Sequence, residues 1–159
     1  MTAPDEWIGA YFKRSEVACS CGCGRAAVDP NLIELADKAR EALGVGLQVN
    51  SAVRCLERNA AVGGRQPGPD AFGSLHIPRG ALHQGHALDL TFAAPSQRRP
   101  INLLRLYCLL ESHGRKYGPV GLGLYSTPHG NGGGFVHVDT RGALGLAAAR
   151  WEDFAWPKI

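Results

Sequence analysis

The run from Ser74 to Leu90, SLHIPRGALHQGHALDL, restricts what this chain can fold into more than any other, because it ends by placing a carboxylate inside an apolar strand. Ala87 to Phe92 reads as a buried strand in which Asp89 stands between Leu88 and Leu90. Taking an unpaired carboxylate out of water is costly, so the fold must bring a cation or a set of hydrogen-bond donors to Asp89. His76, His83 and His86 lie just upstream. A second stretch, GFVHVDT from Gly134 to Thr140, sets His137 and Asp139 two apart on a β-branched run, so both project from the same face of a strand. Two such strands side by side would present His, Asp and His to one point, where a metal ion is the natural partner for Asp89.

A chain of 159 residues is long enough for one domain with a proper core and too short for two, so residues 1–159 are read as a single unit. With 45% hydrophobic and 19% charged residues it falls among globular rather than disordered chains. The net charge of +3 mildly favours an anionic partner, but no Lys/Arg block or basic stripe with interleaved aromatics points to nucleic acid. The N-terminal MTAPDEWIGAYFKRSE carries early acidic residues and no apolar run, so neither a signal peptide nor a membrane anchor is expected. No stretch has the apolar length to span a bilayer, and synthesis in the cytoplasm without a leader is the expectation.

The five cysteines are odd in number, and Cys55 and Cys108 fall in separate expected core elements, which argues against a disulfide framework. Alternate Cys19, Cys21 and Cys23 have the chemistry to bind zinc. The usual structural site, however, uses pairs two or more residues apart and needs a fourth ligand, so the favoured reading is small buried thiols in a glycine turn.

Periodicity outlines the scaffold. Asp29-Pro30 opens a helix, with Asp29 as N-cap, Leu32, Ile33, Leu35, Ala36, Ala39 and Leu43 at helical spacing, and Gly44 as its stop. Leu47 to Val53 reads as a strand running into Arg54, Asn59 to Gly64 as a short helix, and Arg65 to Gly73 as a loop. A second amphipathic helix is expected from Ile101 to His113, with Leu103, Leu104, Tyr107, Cys108 and Leu110 inward. Val120 to Tyr125 and Phe135 to Thr140 read as strands flanking a glycine-rich loop, and the tail from Ala143 to Ile159 as a short helix ending in Trp151, Phe154 and Trp156. Helices and short strands without a strict βαβ rhythm predict an α+β fold with a small, largely antiparallel sheet flanked by helices.

Two histidines and a carboxylate leave a tetrahedral zinc with an empty fourth position, the arrangement of catalytic zinc. Water there becomes a strong nucleophile near neutral pH, and amide hydrolysis is the natural chemistry. The chain carries, in order, Ser51-Ala52-Val53-Arg54, NAAVGG from Asn59 to Gly64, Ser74-Leu75-His76, Gly85-His86-Ala87-Leu88-Asp89, and FVHVD from Phe135 to Asp139. This series resembles the D-alanyl-D-alanine zinc peptidases, cell-wall carboxypeptidases and endopeptidases that share a metal fold with hedgehog amino-terminal domains. The YFKRSEVACSCGCG segment and Ala149-Arg150-Trp151 are similar to family features too, so the resemblance covers nearly the whole chain. It implies zinc as the cofactor, His76, Asp89 and His137 as its ligands, and Arg54 as the arginine that binds a substrate carbonyl or carboxylate, a role its fork of donors suits. The alternative for Arg54 is a structural salt bridge.

Three departures from the family pattern matter. Deleting Arg79 to Gln84 restores the family's Ser-x-His-x-x-Gly-x-Ala-x-Asp, which favours His76 as the ligand; the rival alignment uses His83, with Ala81 in place of the serine. His86 then fills a variable slot as a solvated or loop-bonding residue. Gly134 and Phe135 stand where relatives carry an acidic residue or a histidine as general base. Asp139 is a candidate to take the water's proton or to orient a ligand from behind, and His129 is the other candidate base. Ala52 and Val53 replace a glycine and an aromatic beside Arg54.

The resemblance thus implies a monomeric zinc hydrolase of peptidoglycan stem or cross-link peptides, acting on the cell wall after release, in the manner of a phage lysis enzyme among other settings. Neither a nucleic-acid nor a membrane partner is expected. The alternative is a zinc-bearing binding module of the same fold without turnover.

Overall fold

The computed structural model describes residues 5–69, 71–125 and 133–153. Its centre is a five-stranded sheet built from β1 (Leu47–Ser51), β2 (Ala87–Phe92), β3 (Gly121–Tyr125), β4 (Phe135–Asp139) and β5 (Ala149–Asp153), in the order β1-β2-β4-β3-β5. Pairing is antiparallel throughout except between β3 and β5, which run parallel. The fold is therefore α+β with a mixed sheet. No helix among the described residues is long and apolar enough to cross a membrane.

The register divides the sheet into two faces. Leu88 sits opposite Val138 and Val138 opposite Leu122, while Leu90, Val136 and Leu124 form the next row. These apolar rows pack with α2 (Pro30–Leu43) and α4 (Pro100–Gly114), whose Leu32, Leu35, Ala36, Ala39, Leu103, Leu106 and Leu110 complete the core. Because successive strand residues point to opposite faces, the intervening row of Ser51, Asp89, His137, Gly123 and Trp151 is presented on the other side, one residue from each strand. The core thus fixes the register, and the register lines up the polar groups.

Capping explains α2. The Asp29 side chain accepts from the Asn31 N–H at 3.0 Å, Pro30 takes the first position, and Gly44 ends the helix at φ 66°. Two short helices, α1 (Arg14–Val17) and α3 (Leu56–Ala61), flank the N-terminal loop and the end of β1.

Two sequence expectations are corrected. Cys108 is exposed; the inward stripe of α4 runs through Leu103, Leu106 and Leu110, and a residue two before Leu110 falls off that face. The expected tail helix is reduced to the end of a 3-10 turn, Arg141–Leu144, after which Ala149–Asp153 adds a parallel edge strand to β3, because β3 had a free edge and its glycines leave room for Trp151. Phe154, Trp156 and His129 lie outside the described residues.

Candidate metal centre

Asp89 and His137 are directly opposed in the β2–β4 ladder, and His137 Nδ1 lies 2.8 Å from Asp89 Oδ1. His76 reaches the same oxygen from the loop before β2, with Nε2 3.3 Å away. One donor atom from each of the three side chains lies within 4.8 Å of the other two. The two imidazole rings meet edge to face at 5.2 Å between centroids.

Each of the three is tied back at its other end, so that one atom is left for a shared ion. His76 Nδ1 is 2.6 Å from the Ala52 carbonyl, which can only accept, so the ring proton is on Nδ1 and Nε2 is the free donor. Asp89 Oδ2 accepts from Arg54 Nη2 at 2.9 Å, leaving Oδ1. His137 Nε2 lies 3.1 Å from Asp139 Oδ2, leaving Nδ1. Backing of imidazole by carboxylate or carbonyl is the usual outer support of a metal ligand, and the donor set fits zinc.

Charges follow the same geometry. Burial alone would lower the His137 imidazole, but hydrogen bonds to Asp139 and Asp89 raise it to about 9. Burial pushes His76 below its ordinary value against the pull of Asp89. Burial opposes ionisation of Asp89 as well, yet the electrostatic pull of the two neighbouring imidazoles, His76 and His137, and the hydrogen bond from His137 hold its carboxyl far below the usual range. Asp139 behaves alike, overcoming burial through Arg141 and His137.

Asp139 is 1% exposed and its oxygens are occupied. Besides His137, they accept from Arg141 Nε at 2.8 Å, Arg141 Nη2 at 2.7 Å and the Gly121 N–H at 3.1 Å. Arg54 is similarly committed: Nε donates to Ser51 Oγ at 2.8 Å and Nη2 to Asp89. Its guanidinium nonetheless lines a cleft of about 1010 Å³ that also has His76, Asp89 and His137 in its wall.

The other histidines are placed apart. His83 is exposed at φ 46° on a tight turn, inside a hairpin closed by Arg79 and Gln84, whose backbone N–H groups donate to each other's carbonyls at 3.0 and 3.3 Å. Residues 79–84 thus loop out and return, and Gly85 continues the chain by donating to the Ala27 carbonyl. His86 is 4% exposed, so the expected solvated position is corrected: its Nδ1 lies 3.3 Å from both Thr140 Oγ1 and Asp29 Oδ2, joining the start of α2 to the end of β4. Asn59 and Gly64 of the NAAVGG run pack on one another; a Cβ at Gly64 would collide with the Asn59 amide.

Three contributors, Trp151, Tyr125 and Arg141, were given no part in the site from the sequence. Trp151 Nε1 donates to Tyr125 Oη at 2.7 Å, and its ring lies 5.2 Å from that of His137. Tyr125 in turn stacks on Phe135 at 4.4 Å between centroids. Arg141 grips Asp139. The two glycines of GLGLY are the available signal: a Cβ at Gly121 would strike Asp139 and Arg141, and one at Gly123 the Trp151 indole.

Fold and site together give a small α+β domain with a candidate metal centre, in which Asp89 and His137 share one row of a mixed sheet and His76 joins them from the loop before β2. The Peptidase M15 family model matches residues 10–139, and the chain belongs to that family, the D-alanyl-D-alanine zinc peptidases. Peptidases of this family are metal-dependent, in keeping with the His76, Asp89 and His137 group. Comparison with curated proteins and with solved structures gave no match.

Proposed function

We propose that the chain is a zinc-dependent hydrolase of peptidoglycan stem or cross-link peptides, a D,D-carboxypeptidase or endopeptidase of the lysis-enzyme kind. The observation that supports this best is the convergence of His76 Nε2, Asp89 Oδ1 and His137 Nδ1, each backed by a second group, in the wall of an open cleft. A zinc ion held there would polarise the scissile carbonyl and lower the pKa of a water in its fourth position.

The chain's own residues supply the rest. Arg54 fixes Asp89 and shares the cleft with Arg58 and Arg65, so a peptide carboxylate meets several cations. Tyr125, Phe135 and Trp151 offer an aromatic wall for small apolar side chains. Asp139, with its oxygens engaged by His137, Arg141 and Gly121, orients His137 from behind, and His129 is the candidate proton acceptor.

A second reading is a zinc-bearing binding module without turnover. It is favoured by Gly134 at the position where relatives carry an acid, and by the fact that Asp89 and Asp139 are the only carboxylates among the described residues of the cleft. Incubation with cross-linked peptidoglycan, with and without a chelator, separates the two by the mass of released fragments. Metal-dependent release of D-alanine or of separated stems supports the hydrolase; binding without any release supports the module.

A further inference from the structure

A second cluster of metal-competent side chains lies away from the His76, Asp89 and His137 group. Cys19, Cys21 and Cys23 curl round a turn in which Gly22 and Gly24 take the left-handed region, φ 80° and 77°, and Cys55 comes to them from the start of α3. The Sγ atoms of Cys19 and Cys21 are 3.3 Å apart and those of Cys21 and Cys55 3.5 Å, and all four sulfurs lie within 4.8 Å of one another. Sulfurs about 2.3 Å from a tetrahedral zinc stand about 3.8 Å apart, so these spacings suit a common ion. A disulfide would join them only in pairs at about 2.05 Å, and all four thiols are free.

The geometry points to a structural zinc bound by Cys19, Cys21, Cys23 and Cys55. The fourth ligand that the Cys-x-Cys-x-Cys run lacks on its own is supplied by a residue distant in sequence. Backbone N–H groups already donate to the sulfurs, Cys55 N to Cys19 Sγ at 3.4 Å and Arg58 N to Cys55 Sγ at 3.3 Å, bonds that offset the charge of thiolates. Cys19 and Cys55 are buried, while Cys21 and Cys23 are exposed, which leaves a route for the ion to enter. With four protein ligands the site is closed, so its part is to brace rather than to catalyse.

What it braces is the wall of the cleft. Cys55 follows Arg54, whose N–H donates to the His76 carbonyl at 2.9 Å and whose guanidinium holds Asp89. Next to it, the Val53 N–H donates to the Val17 carbonyl at 3.1 Å, so the ion would clamp the 19–23 turn to the segment that carries Arg54.

The test uses the full chain, reduced, stripped of metal and titrated with Co²⁺. A tetrathiolate site gives intense thiolate-to-cobalt charge-transfer absorption, whereas the His76 site, having no sulfur, gives none. These bands should appear in the wild type, persist in His137→Ala and disappear in Cys21→Ser, a change at an exposed side chain that leaves the core untouched. Zinc content should fall by one ion per chain in the same variant. In the zinc-loaded wild type, Cys21 and Cys23 should react with a thiol reagent at least tenfold more slowly than Cys108, which is also exposed, and the difference should vanish with chelator. Absence of thiolate bands in the wild type, or their survival in Cys21→Ser and Cys55→Ser alike, overturns the proposal, and it does so whether or not the His76 site holds metal.

Discussion

His137 stands between two carboxylates, with Nδ1 2.8 Å from Asp89 Oδ1 and Nε2 3.1 Å from Asp139 Oδ2. Both acceptors lack protons to give, so in the metal-free chain both ring nitrogens donate and the imidazole is a cation.

Metal binding should therefore release a proton. The His137 pKa is raised to about 9, so at pH 7 an ion taking Nδ1 must displace hydrogen, and metal affinity should rise with pH until about 9 and then level off. The metal-free chain should show the converse in its stability. A raised pKa contributes stability that is full below the unfolded value of about 6.5 and is lost as pH climbs through about 9. Calorimetric titration of Cys21→Ser with Zn²⁺ in buffers of different ionisation heat measures the protons released at the His76 site alone; no dependence on buffer at pH 7 would contradict the assignment.

Asp139→Asn keeps the shape but weakens the hold on His137. Zinc affinity should fall about 10–100-fold, the usual cost of losing an outer partner of a ligand. Asp139→Asn with full zinc affinity but no turnover would instead make Asp139 the proton acceptor.

The two candidate histidines should separate cleanly. His76→Ala should abolish zinc binding at this site, since its Nε2 faces Asp89 Oδ1, and His83→Ala should leave zinc content and melting temperature within error, since His83 is an exposed turn residue. Metal analysis of both variants, each carrying Cys21→Ser, decides it.

Gly123→Ala should displace β5, because the added Cβ would strike the Trp151 indole. A destabilisation of about 1–3 kcal/mol is expected from such overpacking, seen as a lower melting temperature. Peptidase activity should drop with it as the aromatic wall shifts, while Gly118→Ala, also in a loop-strand region but with open space around it, should show only the backbone strain of its φ of 85°.

Much of the architecture was readable because single residues forced it. The burial of Asp89 demanded a partner, and FVHVD carried the one imidazole on a strand that could supply it. Asp29, Pro30 and Gly44 marked both ends of α2. Other parts left no local trace. Ala149–Asp153 alternates over only four residues, with Ala149 and Trp151 half-buried and Arg150 and Glu152 exposed, too short a run to mark a strand by itself; pairing with the edge of β3 makes it one. Cys55 offered no hint of its neighbours, because α2 and β1 separate it in the chain from the turn that carries them. His86 looked like a loop residue until Asp29 and Thr140 were seen on either side of it.

The hairpin at residues 79–84 leaves the scaffold and rejoins it at almost the same place. A site of this kind is blind to how much chain hangs between its ligands, provided that the excursion closes on itself. Motif searches count positions along a string, and a family whose members lengthen or trim this excursion will look divergent by count while their donors occupy the same coordinates.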